Sequence, residues 1–198
     1  MLPFNQESFI QPELKTLRFI MEPISAIHAK ELCEFFSDND LHHFVPFEAP
    51  TLEQQTERCL RWAKRLSPDG TELWLNWAAR DKATGRIAAH IQVGMKADRI
   101  ASIGYVVGKA FQRIGCATEC LESVFKYLEE SLGAIEVKAW SDTRNEASHR
   151  LAQKLGMVQV ELIKDADFFK GRTSDEFVFS KVFKVTSQNE MQVSNDDT

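Results

Sequence analysis

Nowhere does the 198-residue chain hold an uninterrupted run of 18 apolar residues, so no membrane-spanning helix is read from it. Its first stretch, MLPFNQESFIQPELK, has no basic segment leading into an apolar one and does not read as a secretory signal. Positive charge is in deficit: 24 Lys and Arg stand against 29 Asp and Glu. The resulting net charge of −5 gives no global support to a nucleic-acid-coating role, so neither a membrane nor direct nucleic acid is expected as a partner. Cysteine is sparse, with Cys33, Cys59, Cys116 and Cys120, no C-x-x-C and no zinc-like Cys/His spacing. These read as reduced, small, semi-buried side chains in a cytoplasmic protein, and no metal is expected. Two phosphate-binding signatures are missing as well. No G-x-x-x-x-G-K-[ST] argues against a Walker-type nucleotide site, and no G-x-G-x-x-G disfavours a Rossmann dinucleotide site.

What is present suits one domain with a real core, since 43% of the residues are apolar. The expected organisation is a leader over 1–15, a folded unit over 16–184 and a polar, disordered tail over 185–198. A first strand is read over 16–23. Ser25 then caps a helix running to about Phe36, with Ala29, Leu32, Cys33 and Phe36 as its stripe. Thr51-x-x-Gln54 is a capping box for a second helix with the stripe Cys59, Leu60, Ala63, Leu66, stopped by 67-SPDG-70. Strands over 73–80 and 86–93 around the polar turn 81–85 form a hairpin, extended by a strand over 100–107. There follow a helix over 117–131, a strand over 134–140, a helix from Glu146 to Leu155 closed by Gly156, and strands over 158–163 and 177–183. The segment between the last two, 164–176, reads as a polar loop. The order predicts an α+β fold: a mixed, mostly antiparallel sheet of about six to seven strands flanked by about four helices.

One stretch asks for more than packing. In 111-FQRIGCATECL-121 a strand hands over to a helix through a cation, a glycine and little bulk. A helix N-terminus leaves N–H groups unpaired and carries roughly half a positive charge. Gly115, Cys116 and Ala117 are small enough to admit a phosphate to that backbone, and Lys109 and Arg113 add charge. A diphosphate over 113–118 and a plain tight turn are both compatible with this stretch alone.

A second motif stands downstream in 145-NEASHRLAQKLGM-157. Gln112-x-x-Gly115-x-Ala117 together with Asn145-x-x-Ser148 and Gly156 resembles the GNAT superfamily of N-acetyltransferases, over about residues 16–184. Within it, 17-LRFIMEP-23, Gly104-Tyr105 and the Asn-x-x-Ser spacing resemble the RimJ/RimL branch, which acetylates protein N-terminal amines. The resemblance implies acetyl-CoA as the bound and consumed co-substrate, with its pyrophosphate on Gln112, Arg113, Ile114, Gly115, Cys116, Ala117 and Thr118. It implies that the strand before this turn splays, so that the backbone of Tyr105, Val106 and Val107 holds pantetheine and offers an N–H to the thioester oxygen. Asn145 matches the asparagine on the pantetheine arm, although Asn is also a favoured helix N-cap. Ser148 matches the serine near the CoA sulfur, where it could protonate or hydrogen-bond the leaving thiolate. The tyrosine that many members carry on this helix is replaced by Ala152. Asp167 matches a loop carboxylate that can serve as base, with Asp165, Asp175 and Glu176 as rivals.

The long link over 37–51 carries His42, His43, Phe44 and Phe47 and is expected to wall the acceptor groove together with 164–176. His42 or His43 as base stands against the plainer reading of packed loop histidines. Trp62, Trp74, Trp77 and Trp140 read as core or rim. Three functions remain open: an acetyltransferase of a protein N-terminus, one of a small amine such as a polyamine or an amine-bearing antibiotic, which an acidic pocket would favour and to which Glu48, Glu53 and Asp69 could contribute, or a non-catalytic acetyl-CoA sensor. The acceptor is thus a protein N-terminus or a small amine, and the chain a monomer or homodimer.

Overall fold

The structure, a computed structural model, describes residues 10–183. The expected tail over 185–198 and residues 1–9 of the expected leader lie outside the described residues.

Eight strands form one sheet in the order β1-β2-β3-β4-β5-β6-β8-β7, somewhat more strands than the sequence pattern suggests. They are β1 (Leu14–Lys15), β2 (Phe19–Pro23), β3 (Glu72–Asp81), β4 (Ile87–Lys96), β5 (Ile100–Val107), β6 (Glu136–Asp142), β7 (Val158–Phe169) and β8 (Arg172–Val182). The helices are α1 (Ala29–Phe35), α2 (Leu52–Trp62), α3 (Cys116–Glu130) and α4 (Glu146–Lys154). Every neighbouring pair is antiparallel except β5 and β6.

The alternation of strand side chains divides the core. Leu73, Leu75 and Trp77 of β3 and Ile91, Val93 and Met95 of β4 pack with Cys120, Leu121, Val124 and Leu128 of α3. Leu121 and Leu128 are buried to 1% or less, and each contributes on the order of 2 kcal/mol. On the opposite face, Ala78 and Ile87 pack with Leu32, Phe36 and Cys59 of α1 and α2. Thr51 and Gln54 close the expected capping box on α2. The inner residues of α2 are Gln55 and Cys59, with Trp62 packed beside them, whereas Leu60 is 52% exposed.

Two regions depart from the sequence pattern. Residues 10–15 do not hang free: Gln11 Nε2 donates to Asn76 O at 2.9 Å, Trp77 Nε1 to Pro12 O at 2.9 Å, and Leu14 pairs with Met21. The segment 164–176 is not a loop but the tip of a long β7–β8 hairpin. Its reversal is two residues, Lys170 and Gly171, at φ 51° and 78° between the paired Phe169 and Arg172. Positive φ at both positions matches the right-handed twist of the flanking strands. Lys170 Nζ donates to His42 O at 2.5 Å, which ties this tip to the 37–51 link.

Candidate active site

The site begins where two parallel strands part. β5 pairs with β4 along its length, from Ala101↔Met95 to Val107↔Ala89. Against β6 it makes only the rungs Ile100↔Glu136, Ala101↔Val137 and Ser102↔Lys138. β6 meanwhile follows β8 as far as Asp142↔Glu176. The expected splay is therefore present. Gly108 N donates to Ala88 O at 2.9 Å, so the β4 ladder engages even-numbered residues of β5. The backbone groups of Ile103, Tyr105 and Val107 consequently face the gap. Gln112 Nε2 uses one of them, donating to Val107 O at 3.0 Å. Val106, by the same alternation, has its backbone on β4.

At the mouth of this gap stands the N-terminus of α3. Its N-cap is Gly115 at φ 82°, with no side-chain cap, and Arg113 two residues earlier is also left-handed at φ 60°. A Cβ at position 115 would be strained by roughly 1–2 kcal/mol in this conformation. The first helical bond is Glu119 N to Gly115 O at 3.1 Å, which leaves the N–H groups of Cys116, Ala117 and Thr118 without helical partners. A cavity of about 830 Å³ opens over them. Tyr105, Val106, Val107, Gln112, Arg113, Gly115, Cys116, Ala117, Thr118, Asn145 and Ser148 all line it. Ile114 does not; it is 51% exposed, and its carbonyl accepts from Arg18 Nη1 at 2.9 Å.

Three cations at this site were not legible as such. Arg18 arrives from the start of β2, bonded to Glu119 at 2.7 Å, and its guanidinium lies 3.4 Å from where a Gly115 Cβ would stand. No local sequence signal couples residues about a hundred positions apart. Arg150 and Lys154 line the cavity from α4, at a helical spacing that could have been noticed. Lys109, expected to serve the anion directly, is paired with Asp40 at 2.6 Å.

A second cavity, of about 540 Å³, adjoins the first. Phe44, Val45, Tyr105, Val106, Asn145 and Ser148 line both, so the two meet at these residues. Burial pushes the Tyr105 phenol above its ordinary pKa, and the Ser148 hydroxyl acts in the opposite sense. The two hydroxyl-bearing side chains are thus neighbours. Asn145 caps α4, its Oδ1 accepting from Ser148 N at 3.2 Å, which leaves its amide N–H groups for a ligand. Asp142 anchors this corner. Its carboxylate accepts from Arg144 Nε at 2.7 Å and Ser174 Oγ at 2.6 Å, and its carbonyl accepts from Asn145 N at 2.9 Å. The Arg144 guanidinium, first among several causes, holds the Asp142 carboxyl far below the usual carboxylate range.

On the far wall of the second cavity, Asp167 and Glu176 come from the β7–β8 hairpin. Burial, then the charges of Asp167 and Asp142, raise the Glu176 carboxyl above its ordinary range. Asp167 Oδ1 accepts from its neighbour Phe168 N at 2.7 Å. Asp175 is held by Lys164 at 2.6 Å, and neither it nor Asp165 lines the cavity. His42 lines it but is buried and donates from Nε2 to Phe36 O at 2.7 Å, a packing role. Phe44 and Phe47 line it, while His43 lies outside both linings, edge-on to Phe44 at 4.6 Å. Trp62, Trp74 and Trp140 form part of the wall, and Trp77 belongs to the core. His90 is stacked on Trp62 at 4.8 Å and bonded to Asn76; burial and the charge of Arg58 pull its pKa down to about 4. Among the described residues no cluster of His, Cys, Asp and Glu could hold a metal, and no helix is long and apolar enough to cross a membrane.

Residues 18–158 match the acetyltransferase (GNAT) domain family. A curated relative, named as the uncharacterized N-acetyltransferase YoaA of Bacillus subtilis (strain 168), is 27% identical over 86% of this chain and 97% of its own. Among solved structures, RimL, the ribosomal L7/L12 α-N-protein acetyltransferase in complex with coenzyme A, superposes with a TM-score of 0.78 at 13% identity, over 86% of this chain and 98% of the other. The ribosomal-protein-S5-alanine acetyltransferase of Vibrio fischeri gives 0.76 at 17% identity, over 87% and 97%. These two likenesses speak for the fold.

Proposed function

This chain belongs to the GNAT family and is an acetyl-CoA-dependent acetyltransferase, and from that premise we propose that its acceptor is the N-terminal α-amine of a protein. The residues present fit the co-substrate. The unpaired N–H groups of Cys116, Ala117 and Thr118, with Arg113, Arg150 and Lys154 around them, suit a diphosphate. The parted edge of β5 offers amide partners to a pantetheine arm through Tyr105 and Val107. Bound acetyl-CoA supplies an activated acetyl thioester.

The observation that carries the reading is the second cavity, which reaches the first at Tyr105 and Ser148 and whose lining includes aromatic side chains, the hairpin carboxylates of Asp167 and Glu176, and Arg58 and Arg61 of α2. An amine entering there meets Glu176 and Asp167 on one side and the hydroxyls of Ser148 and Tyr105 on the other. A free α-amine has a pKa of about 8, so a carboxylate with a raised pKa can take its proton directly or through water. Ser148, beside Tyr105, is placed to give a proton to the departing sulfur. Transfer is then direct, in a ternary complex, with positioning of the amine supplying much of the rate.

The protein-directed reading draws support from the names of RimL and the S5-alanine acetyltransferase. An acidic pocket would favour the small-amine reading, and Glu48, Glu53 and Asp69, which could have contributed to one, line neither cavity. The Asp69 carboxylate is held by Ser67 and Thr71. Cys33, Cys59, Cys116 and Cys120 are free thiols, which agrees with a cytoplasmic setting. Thiol release from acetyl-CoA, measured with unstructured N-terminal peptides and with polyamines, tests the proposal. Acetylated peptide is expected; turnover of polyamines alone would overturn it.

A further inference from the structure

Two arginines on the acceptor side have no work in the chemistry above. Arg58 and Arg61, one helical turn apart on α2, both line the second cavity and are the only Lys or Arg residues among its lining. Among the described residues neither makes an ion pair or a side-chain hydrogen bond. Elsewhere Arg18, Arg80 and Arg144 each close on a carboxylate, while the half-buried Arg65 does not among the described residues. With no protein acceptor among the described residues, the donors of the half-buried Arg58 and the exposed Arg61 are left to water in a cavity that Trp62 and Phe47 also line, where an incoming anion can take them.

The cavity already contains two carboxylates that could have answered them. Asp167 and Glu176 instead stand on the β7–β8 hairpin, and no ion pair crosses from that wall to α2 among the described residues. The remaining acid, Asp142, is occupied by Arg144 and Ser174. The acceptor site thus carries cations from α2 and carboxylates from the β7–β8 hairpin that are not paired with one another among the described residues. The charge of Arg58 is felt at His90, which is opposite Val106 in the β4–β5 register, and Val106 lines the junction of the two cavities. Arg58 and Arg61 share the second cavity with Val106, which also lines the first.

We propose that Arg58 and Arg61 read an acidic side chain within the first few residues of the acceptor peptide, so that the protein selects N-termini bearing Asp or Glu close behind the α-amine. This rests on the peptide-acceptor reading above. The amine approaches the hairpin carboxylates while the peptide's own carboxylate is forked by the α2 guanidiniums, which fixes its orientation at two points. Polycationic amines are repelled by the same pair.

Three peptides of equal length, beginning Ser-Glu-Glu, Ser-Ala-Ala and Ser-Lys-Lys, test this with the full-length protein. The acidic peptide is expected to exceed the neutral one in kcat/KM by roughly tenfold or more, mainly through KM, and the margin should shrink as salt is raised. In the Arg58→Gln/Arg61→Gln variant the margin disappears while acetyl-CoA affinity, measured by calorimetry, stays intact as the control for folding. Arg61 is exposed, so Arg61→Glu gives a second variant, and it should move the preference toward the lysine peptide. Equal kcat/KM for all three peptides in the unmodified protein, or a margin that survives the double substitution, overturns the inference alone. If none of the three is acetylated, the peptide-acceptor reading fails and this inference fails with it.

Discussion

Ser102 and Lys138 form the last rung between β5 and β6, and one residue further, at Ile103 and Ala139, both strands line the second cavity instead of each other. The separation has a visible cause. β5 stays on β4, and β6 stays on β8, so each strand satisfies one edge and leaves the other open. Unpaired backbone at the centre of a sheet is costly unless something bonds to it. The gap therefore leaves backbone groups open to a partner, and α3 places its positive end at the gap's mouth.

The junction hydroxyls give the first prediction. Ser148→Ala should lower kcat by roughly tenfold or more while leaving the acetyl-CoA Kd within about twofold, because a proton donor acts in the transition state. Tyr105→Phe should behave in the same direction, and the double variant should fall short of the product of the two, since the side chains are neighbours. Steady-state kinetics paired with calorimetry checks this. A loss of cofactor affinity equal to the loss in turnover would place both residues in binding alone.

Glu176 gives the second. Burial raises its carboxyl, so it ionises at higher pH in the folded chain than in the unfolded one. As a base it must be ionised, so kcat/KM should fall as pH drops through this raised value, above the ordinary glutamate range. Glu176→Gln should lower kcat and remove that acid limb. The stability sign runs the other way: the contribution of a raised carboxyl is present at low pH and lost as pH rises through the folded value. Glu176→Gln should accordingly melt no lower than the parent at neutral pH. A pH–rate profile whose acid limb is unmoved in the variant would assign the base elsewhere, with Asp167 next in line.

Asp142, which lines the second cavity, holds the corner together. Its side chain is 2% exposed, and its removal takes away the shorter of the two Ser174 hydroxyl bonds and the Arg144 side-chain bonds. Asp142→Asn should cost about 2 kcal/mol, a Tm lower by roughly 4–8 °C. Because the folded carboxyl is depressed, its stabilisation exists above the unfolded pKa and is lost as pH falls toward the folded one. The gap in Tm between parent and variant should therefore narrow in acid. A constant gap from neutral pH to acid would remove the ionic part of this account.

How much of this the sequence carried depends on range. Local chemistry was legible: Thr51 and Gln54 make the capping box, Asn145 caps α4, and β5 spans 100–107 as its apolar run suggests. The small residues after Arg113, read as room for a ligand at a helix start, do line the first cavity. The β7–β8 hairpin was not. Its outer strand is an edge with Lys164, Asp165 and Ala166 exposed, broken by a register shift between Ile163 and Asp167, with Asp165 at φ 48°. Polar residues and bulges protect an edge from further pairing and in doing so erase the alternation by which a strand is recognised. The Lys170–Gly171 reversal lacks the Asn or Asp that usually announces such a turn. Long-range partners were illegible for a different reason: Arg18 meets Glu119, and Arg58 shares a cavity with Glu176, only because the sheet brings them together.

The central claim is that the first turn of α3 seats the diphosphate of acetyl-CoA, and Ala117→Glu tests it most directly. Ala117 lines the cavity, and an acid in the first turn of a helix is favourable by about 0.3–1 kcal/mol, so the variant should melt no lower than its parent. Its carboxylate, however, would occupy the seat and repel the phosphates. Titration calorimetry should show acetyl-CoA affinity reduced by roughly a hundredfold or more at unchanged Tm; affinity equal to that of the unmodified chain would contradict the account.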